Sequence, residues 1–457
     1  MLFHKMYRGG PNEKVGPAFT VLKTRMADRL KPLIQPTRQT QADILGVAVG
    51  DLAMISRVET EPPYGPRKVI DGEVYTDGST LILLTLVETA ARRLVRVKRL
   101  AAVEEEPSTV HAELNAITPT LESEALDWAL KTTTDVLGVE LTRFRFGSPR
   151  FDELKAEGRE PPAPPSAPEL TGARLVMDRL ARQLAIAIKT AGGLLVRDLA
   201  KQLPSEARDK TDDLTSALKR EGLVDSEIVV VCGKTQAQVA RAPSRDALAD
   251  LSARGIKCAC GRPIGDERTE EALTITNLGR SLLDKARWLT ILLLQELEAV
   301  GVPGDAILID QSVGGDEMDC LANIGGEVAL FELKDKEFNL GNAYSFGAKI
   351  GIIRPEHPVI VTTEKVGNDA KEHFVRAKAA RGVRDDFAFP QTREASDITY
   401  IEGVECLGRG VRHFVSKIYR ADAVSALNKI LPLGSLNGFY VLDAMEKAGD
   451  RAVAGVA

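Results

Sequence analysis

Gly315-Asp316-Glu317-Met318-Asp319-Cys320-Leu321-Ala322-Asn323-Ile324-Gly325-Gly326-Glu327-Val328-Ala329-Leu330-Phe331-Glu332-Leu333-Lys334 is the stretch whose reading organises the rest of the chain. It reads as two short strands joined at Gly325-Gly326, because glycine pairs tolerate the positive φ angles of primed hairpin turns. Pairing outward from that turn places Asp319 opposite Glu332 and Glu317 opposite Lys334. Side chains alternate faces along a strand, so these four project from one face. Val328, Ala329, Leu330, Phe331 and Leu333 form a nearly continuous apolar run, the mark of a strand buried on both faces. A charged pair at the end of such a strand costs free energy unless something compensates it. Asp319 and Glu332 at cross-strand distance, with Lys334 beside them, make a compact oxygen site for a divalent cation with a second cation adjacent.

That constellation resembles the PD-(D/E)xK nuclease superfamily, whose minimal signature is an acid on one strand and an acid-x-Lys triplet on the next. The matching residues are Asp319, Glu332 and Lys334; the proline usually written before the first acid is Met318 here. The surrounding pattern predicts an apolar helix over 288–300, a strand over 306–313, a helix around 342–350, a strand over 359–363 and a helix over 368–380. This is the αβββαβ order of a restriction-endonuclease-like core, and the resemblance covers 281–385. It implies a Mg²⁺- or Mn²⁺-dependent endonuclease, a phosphodiester hydrolase acting on nucleic acid and above all on DNA. Asp319, Glu332 and the main-chain carbonyl of Leu333 would hold the metal, and Lys334 would position the attacking water. Glu317 is expected to pair with Lys334. Glu296 and Glu298 on the preceding helix read as exposed residues rather than ligands. The rival reading is a non-catalytic DNA-binding or scaffold protein that keeps the nuclease fold.

The chain of 457 residues, 44% hydrophobic and 27% charged, has room for several cores and the composition of a soluble multidomain α/β and α+β protein. Net charge is −5, so nucleic-acid binding has to come from local patches. Cys232, Cys258, Cys260, Cys320 and Cys406 form no disulfide framework, which suits a reducing cytoplasm. Neither an apolar leader nor a run long enough to span a membrane is read in the chain.

Residues 1–147 read as an N-terminal α+β domain with apolar stretches over 42–58 and 81–87 and a helix over 88–100. The latter carries Arg92, Arg93, Arg96, Lys98 and Arg99 ahead of Glu104, Glu105 and Glu106, a solvated face with internal ion pairs. Prolines at 161, 162, 164, 165 and 168 mark 148–170 as a semi-rigid linker. From 171 to 280 the order is a long helix over 176–190, a short helix over 196–202, a helix over 209–221 and a strand over 223–232. This resembles a winged-helix module, whose third helix would present Lys210, Thr211, Asp212, Asp213, Thr215, Ser216, Lys219 and Arg220. Asp212 and Asp213 suit a helix N-terminus but would repel phosphates.

Cys258 and Cys260, with Cys232 upstream, offer zinc-type ligands. The spacing is C-x-C, however, with neither a fourth cysteine nor a nearby histidine in view, so three reduced thiols in a small subdomain is the preferred reading over Zn²⁺. The remainder, 386–457, reads as an extension packed on the nuclease core, with strands over 397–419 and a helix over 423–430. His413, Lys417 and Arg420 would line a basic surface there. No Walker phosphate loop is present: Gly233-Lys234-Thr235 lacks the earlier glycine. The resemblance therefore leads to a restriction-type, phage-defence or repair nuclease, acting as a homodimer or as a subunit of a larger complex.

Overall fold

The computed structural model describes residues 2–12, 14–36, 39, 58–61, 65–89, 92–97, 100–105, 109–144, 147–157, 163–313, 315–382, 397–430 and 438–445. It is a mixed α/β protein with several sheets. Near the N-terminus come β1 (Phe3–Gly9), α1 (Val15–Ala27), β2 (Lys31–Pro32), β3 (Val58–Glu61), β4 (Gly65–Thr76) and β5 (Leu81–Thr89). They are followed by β6 (Arg92–Val97), β7 (Leu100–Glu105), β8 (Thr109–Thr118), α2 (Glu124–Leu137) and β9 (Leu141–Phe144). An antiparallel sheet runs β2-β4-β5-β8-β1-β9, with β3 on β4. β5 is buried on both faces. Ile82 and Leu84 meet Phe19, Leu22 and Met26 of α1 and Leu126 and Ala129 of α2, while Leu81, Leu83 and Val87 face the other way.

The helix expected over 88–100 does not form. β6 and β7 pair antiparallel instead, with Arg92 opposite Glu105 and Arg93 opposite Glu104 in the register. Which strand a segment pairs with lies outside a single-segment helical reading. Most of the apolar stretch over 42–58 lies outside the described residues.

The expected linker, 148–170, contains helix. In α3 (Pro149–Glu157), Phe151 and Leu154 are buried against Leu308, Met318 and Phe346. Arg150 donates to the carbonyls of Ile353 (3.1 Å) and Ile352 (3.0 Å). α4 (Ala167–Met177) starts behind Ser166, with proline in its first turn, where a missing N–H leaves nothing unsatisfied. The long helix expected over 176–190 is broken at Asp178. Its ψ of 122° ends α4, and its carboxylate accepts the N–H groups of Leu180 and Ala181 to start α5 (Arg179–Ala191).

β10 (Leu194–Leu195), α6 (Val196–Leu199), α7 (Thr211–Arg220), β11 (Val224–Val231), β12 (Gln238–Ala242), α8 (Arg245–Ala253) and β13 (Arg268–Ile275) follow. Their antiparallel sheet runs β10-β13-β11-β12. Helix, short helix, helix and strand come in the order the sequence suggested.

The third sheet comprises β14 (Ile307–Val313), β15 (Asp316–Ile324), β16 (Glu327–Lys334), β17 (His357–Thr362) and β18 (Thr399–Glu402), side by side in chain order. α9 (Asn277–Leu283) and α10 (Arg287–Ala299) precede it; α11 (Leu340–Ile353), α12 (Asn368–Gly382) and α13 (Leu407–Ile430) complete it. β14, β15 and β16 are antiparallel, and β17 and β18 continue parallel to β16, which requires the crossovers that α11 and α12 occupy.

Helices cover both faces. Phe331, Leu333, Val359 and Val361 pack against Leu289 and Leu293 of α10 and Val411, Phe414 and Val415 of α13. Leu330 and Ile360 pack against α3, Phe346 and Ile353 of α11, and Ala370 of α12. The first of these cores also contains Val176, Leu184, Ile188, Leu218 and Leu273, so the helical module upstream is continuous with the sheet rather than tethered to it.

Strands expected over 397–419 extend only to Glu402. The chain turns at Gly403 (φ +84°) and becomes helical, because Leu407, Val411, Phe414, Val415 and Ile418 recur at the three-to-four spacing of one helix face. The far end of α13 leaves this sheet: Ala423 and Leu427 are buried with Leu2, Ile34, Val69 and Leu83 of the N-terminal region. The C-terminal extension therefore packs on both.

Candidate active site

Gly325 (φ +64°) and Gly326 (φ +87°) form the β15–β16 turn, with the Gly326 N–H donated to Asn323 Oδ1 at 3.0 Å. From there the ladder runs Ile324↔Glu327 to Cys320↔Phe331 and stops. Asp319 and Glu332 are the next residues along the two strands. Instead of a main-chain bond, the Leu333 N–H donates to Asp319 Oδ2 at 2.7 Å. A side-chain carboxylate has taken the place of a ladder acceptor, and the strands part at that point.

Glu332 is 1% exposed. Its Oε1 lies 2.8 Å from Lys334 Nζ and its Oε2 lies 2.7 Å from Lys349 Nζ. Lys349 comes from α11 and is itself buried. The sequence reading did not single it out, although the signal was present: a lysine on the helix face that also carries Ala343, Phe346 and Ile353. An ammonium on the core face of a helix calls for a buried anion.

Burial, followed by repulsion from Glu332, pushes the Asp319 carboxyl up to about 6, against the opposing pull of the Leu333 amide, Lys334 and Lys349. Burial draws the Lys334 ammonium down, but the charge and hydrogen bond of Glu332, with Asp319 and Glu317 behind it, outweigh this and raise it. Both lysines are aimed at Glu332, so Asp319 carries the charge least well matched.

The other expected residues are distributed differently. Glu317 pairs with Lys285 at 2.6 Å rather than with Lys334, although its charge still reaches Lys334. Glu296 pairs with Arg412 of α13 at 3.4 Å, and Glu298 is exposed. Both ride on α10, which packs on the Phe331/Leu333 face, opposite the Glu332 side chain. His413 and Lys417 are exposed on α13 and Arg420 lies 5.0 Å over the Phe439 ring, so none of the three shares the face of Glu332. On the helix expected to read DNA, Thr211 and Thr215 are buried. Lys219 pairs with Glu271 at 2.9 Å and Arg220 with Glu221 at 3.1 Å, so two of its cations are matched within the module.

One residue beyond Lys334, Asp335 fastens the site to the upstream module. Its carboxylate meets Arg182 Nε at 3.1 Å and Trp288 Nε1 at 3.1 Å. Arg182 also donates to the carbonyls of Val176 (2.7 Å) and Met177 (3.1 Å) and lies 4.9 Å over the Trp288 ring. Beside Lys285 opens a cleft of about 370 Å³ lined by Asn277, Arg280, Arg287 and Asp310 among others.

Three oxygen donors suit a hard cation here: the carboxylates of Asp319 and Glu332, and the Leu333 carbonyl. In a strand, the N–H and C=O of one residue point to the same side. The Leu333 N–H faces Asp319, while the Lys334 carbonyl, pointing the other way, accepts the Thr363 N–H at 3.0 Å. The Leu333 carbonyl therefore lies on the Asp319 side. This all-oxygen set fits Mg²⁺ or Mn²⁺, with the proviso that the ion must share Glu332 with two ammoniums.

A second cluster lies in the upstream module. The thiols of Cys232, Cys258 and Cys260 are joined by Glu267, with all four donor atoms within 4.8 Å of one another. The sequence reading stopped at three thiols because the fourth group is neither cysteine nor histidine.

No family model and no curated protein matches the chain. Solved structures that it matches include protein VC1899 from Vibrio cholerae, at 12% identity and a TM-score of 0.29, over 61% of this chain and 63% of that one. A repair endonuclease from Pyrococcus abyssi matches at 10% identity and a TM-score of 0.14, over 38% of this chain and 92% of that one. This chain thus spans less than two thirds of the Vibrio protein, and at such TM-scores neither likeness bears on function. Among the described residues, no helix is long and apolar enough to cross a membrane.

Proposed function

We propose that the protein is a metal-dependent nuclease of the PD-(D/E)xK type that hydrolyses phosphodiester bonds in DNA. The observation that carries this reading is the convergence of Asp319, Glu332 and Lys334 at the point where the β15–β16 ladder opens. Two carboxylates and two ammoniums clustered on one face of a sheet, with the charge of one carboxylate poorly matched, are the kind of arrangement found at functional sites. A bound Mg²⁺ would supply an acidified water and neutralise charge developing on the phosphate. Asp319, Glu332 and the Leu333 carbonyl would hold it. Lys334 Nζ is the donor that orients the attacking water and steadies the extra negative charge as the water oxygen bonds to phosphorus and the P–O bond to the leaving sugar breaks. Lys349 fixes the Glu332 carboxylate and, with Lys334, balances the two carboxylates while no metal is bound. Arg280, Lys285 and Arg287 line the adjoining cleft and would be the cations that meet backbone phosphates, Lys285 and Arg287 by exchanging their ion pairs with Glu317 and Glu169.

The test is cleavage of supercoiled plasmid by purified protein, with Mg²⁺ and with EDTA, for the wild type and Lys334→Met. Nicking or linearisation that needs Mg²⁺ and is lost in Lys334→Met supports the reading. Binding of DNA with no cleavage under any divalent cation would instead identify a scaffold that keeps the fold.

A further inference from the structure

We propose that Cys232, Cys258, Cys260 and Glu267 bind one Zn²⁺, and that this ion holds together the small lobe made by β12, α8 and the loop over 256–267. The inference is independent of the nuclease reading, because the cluster lies in a different sheet.

Geometry is the first support. Tetrahedral zinc with Zn–S bonds of about 2.3 Å sets its ligands about 3.5–3.8 Å apart, and these four donor atoms lie within 4.8 Å of one another. They come from three separate places: the end of β11, the loop after α8, and the residue before β13. Side-chain closure would bring all four onto one ion without moving the backbone.

The local backbone is already folded around the sulfurs. The Thr235 N–H donates to Cys232 Sγ at 3.4 Å. Cys258 and Cys260 sit in a tight turn in which the Gly261 N–H reaches the Cys258 carbonyl at 2.8 Å; Gly261 has φ +92°. Lys257 and Pro263 form a bridge that closes the loop. Amides directed at sulfur favour the thiolate, the form that binds metal.

Glu267 is the residue that calls for an ion. It is 6% exposed, with Oε2 accepting the Gly233 N–H at 2.7 Å and Oε1 only 2.9 Å from Cys260 Sγ. A carboxylate beside three sulfurs supplies the fourth donor that a tetrahedral cation needs.

The lobe's own core is small. Its core of buried residues is Val230, Ala242, Leu248 and Ile264. Lobes with so few buried side chains are ordinarily secured by a metal or disulfides. Three thiolates select zinc over the oxygen-loving cations of the candidate active site.

The experiment uses the full chain purified from zinc-supplemented medium. Elemental analysis should find about one zinc per chain, retained through dialysis against EDTA and released stoichiometrically by a thiol-blocking mercurial. Asp319→Asn should keep that zinc, whereas Cys258→Ser should lose it; Glu267→Gln should hold it more weakly, with release by a chelator at least tenfold faster. Should the serine variant fail to fold, Co²⁺ exchange into wild-type protein decides. Intense thiolate-to-cobalt charge transfer with tetrahedral ligand-field bands supports the site. Folded wild-type protein with substoichiometric zinc and no such bands overturns it, as does zinc that departs with Asp319→Asn.

Discussion

Asp319→Asn isolates the electrostatics of the candidate site. The wild-type carboxyl is raised from 3.8 to about 6, first by burial and then by Glu332. A folded-state value above the unfolded one means that the folded protein holds this proton more tightly. The contribution of this group to stability is therefore greatest below about pH 4, is lost as pH rises from about 4 to about 6, and stays lower above that. At about 1.4 kcal/mol per decade of acidity, the interval between 3.8 and about 6 amounts to about 3 kcal/mol. Asparagine keeps an oxygen for the Leu333 N–H and carries no charge, so in metal-free buffer at pH 8 it should be more stable than wild type by about 2–3 kcal/mol, a margin that shrinks towards pH 4. Trp288, fully buried, reports on the unfolding of this region; Trp128→Phe removes the second of the chain's two tryptophans. Urea titrations in that background at pH 4 and pH 8, with EDTA, give the two differences. Adding Mg²⁺ at a thousandfold excess over its Kd should reverse the order at pH 8: wild type gains about 4 kcal/mol, and the variant gains little. A variant less stable than wild type at pH 8, or a difference that does not change between pH 4 and pH 8, would refute the account of Asp319 as the poorly matched charge.

Three further outcomes are expected. Lys349→Ala leaves buried Glu332 with one of its two ammoniums and should destabilise the protein by about 3 kcal/mol; combining it with Glu332→Gln should recover part of that loss, and a double-mutant cycle measures the coupling. Arg182→Ala should cost about 3 kcal/mol and shift the Trp288 emission, because it removes the cation shared by Asp335, the Trp288 ring and two main-chain carbonyls; unchanged stability would show that the module and the sheet are joined by apolar packing alone. Cleavage should vanish in EDTA, return with Mg²⁺ or Mn²⁺, need more metal as pH drops through about 6 because protonated Asp319 must release its proton to bind it, and remain minimal with Ca²⁺, whose looser coordination places water poorly. Undiminished hydrolysis in EDTA would remove the metal mechanism.

How far the sequence reached depended on how local each determinant was. Gly325-Gly326 and the apolar run from Val328 to Leu333 were sufficient to place the hairpin and its register, because a period-two pattern pinned by a two-residue turn admits one alignment with the apolar set inside. The same locality placed α10, β14, α11, β17 and α12. It failed at β6–β7 and α13. The β6 segment acquires its pairing only through the partner strand, whereas the helical spacing of Leu407, Val411, Phe414, Val415 and Ile418 in α13 was present in the sequence and only the two sheets that it spans are a matter of tertiary structure. Tertiary structure alone decided the partners. It aimed Lys349 at Glu332 from a helix fifteen residues downstream of Lys334 and turned Glu317 towards Lys285. It sent Glu296 to Arg412 on the opposite face and brought Glu267 to three cysteines as their fourth neighbour. A charged side chain's sequence position fixes which face of its element it occupies; which opposite charge meets it there depends on how separate elements pack, and that is settled by the burial of the apolar faces around them.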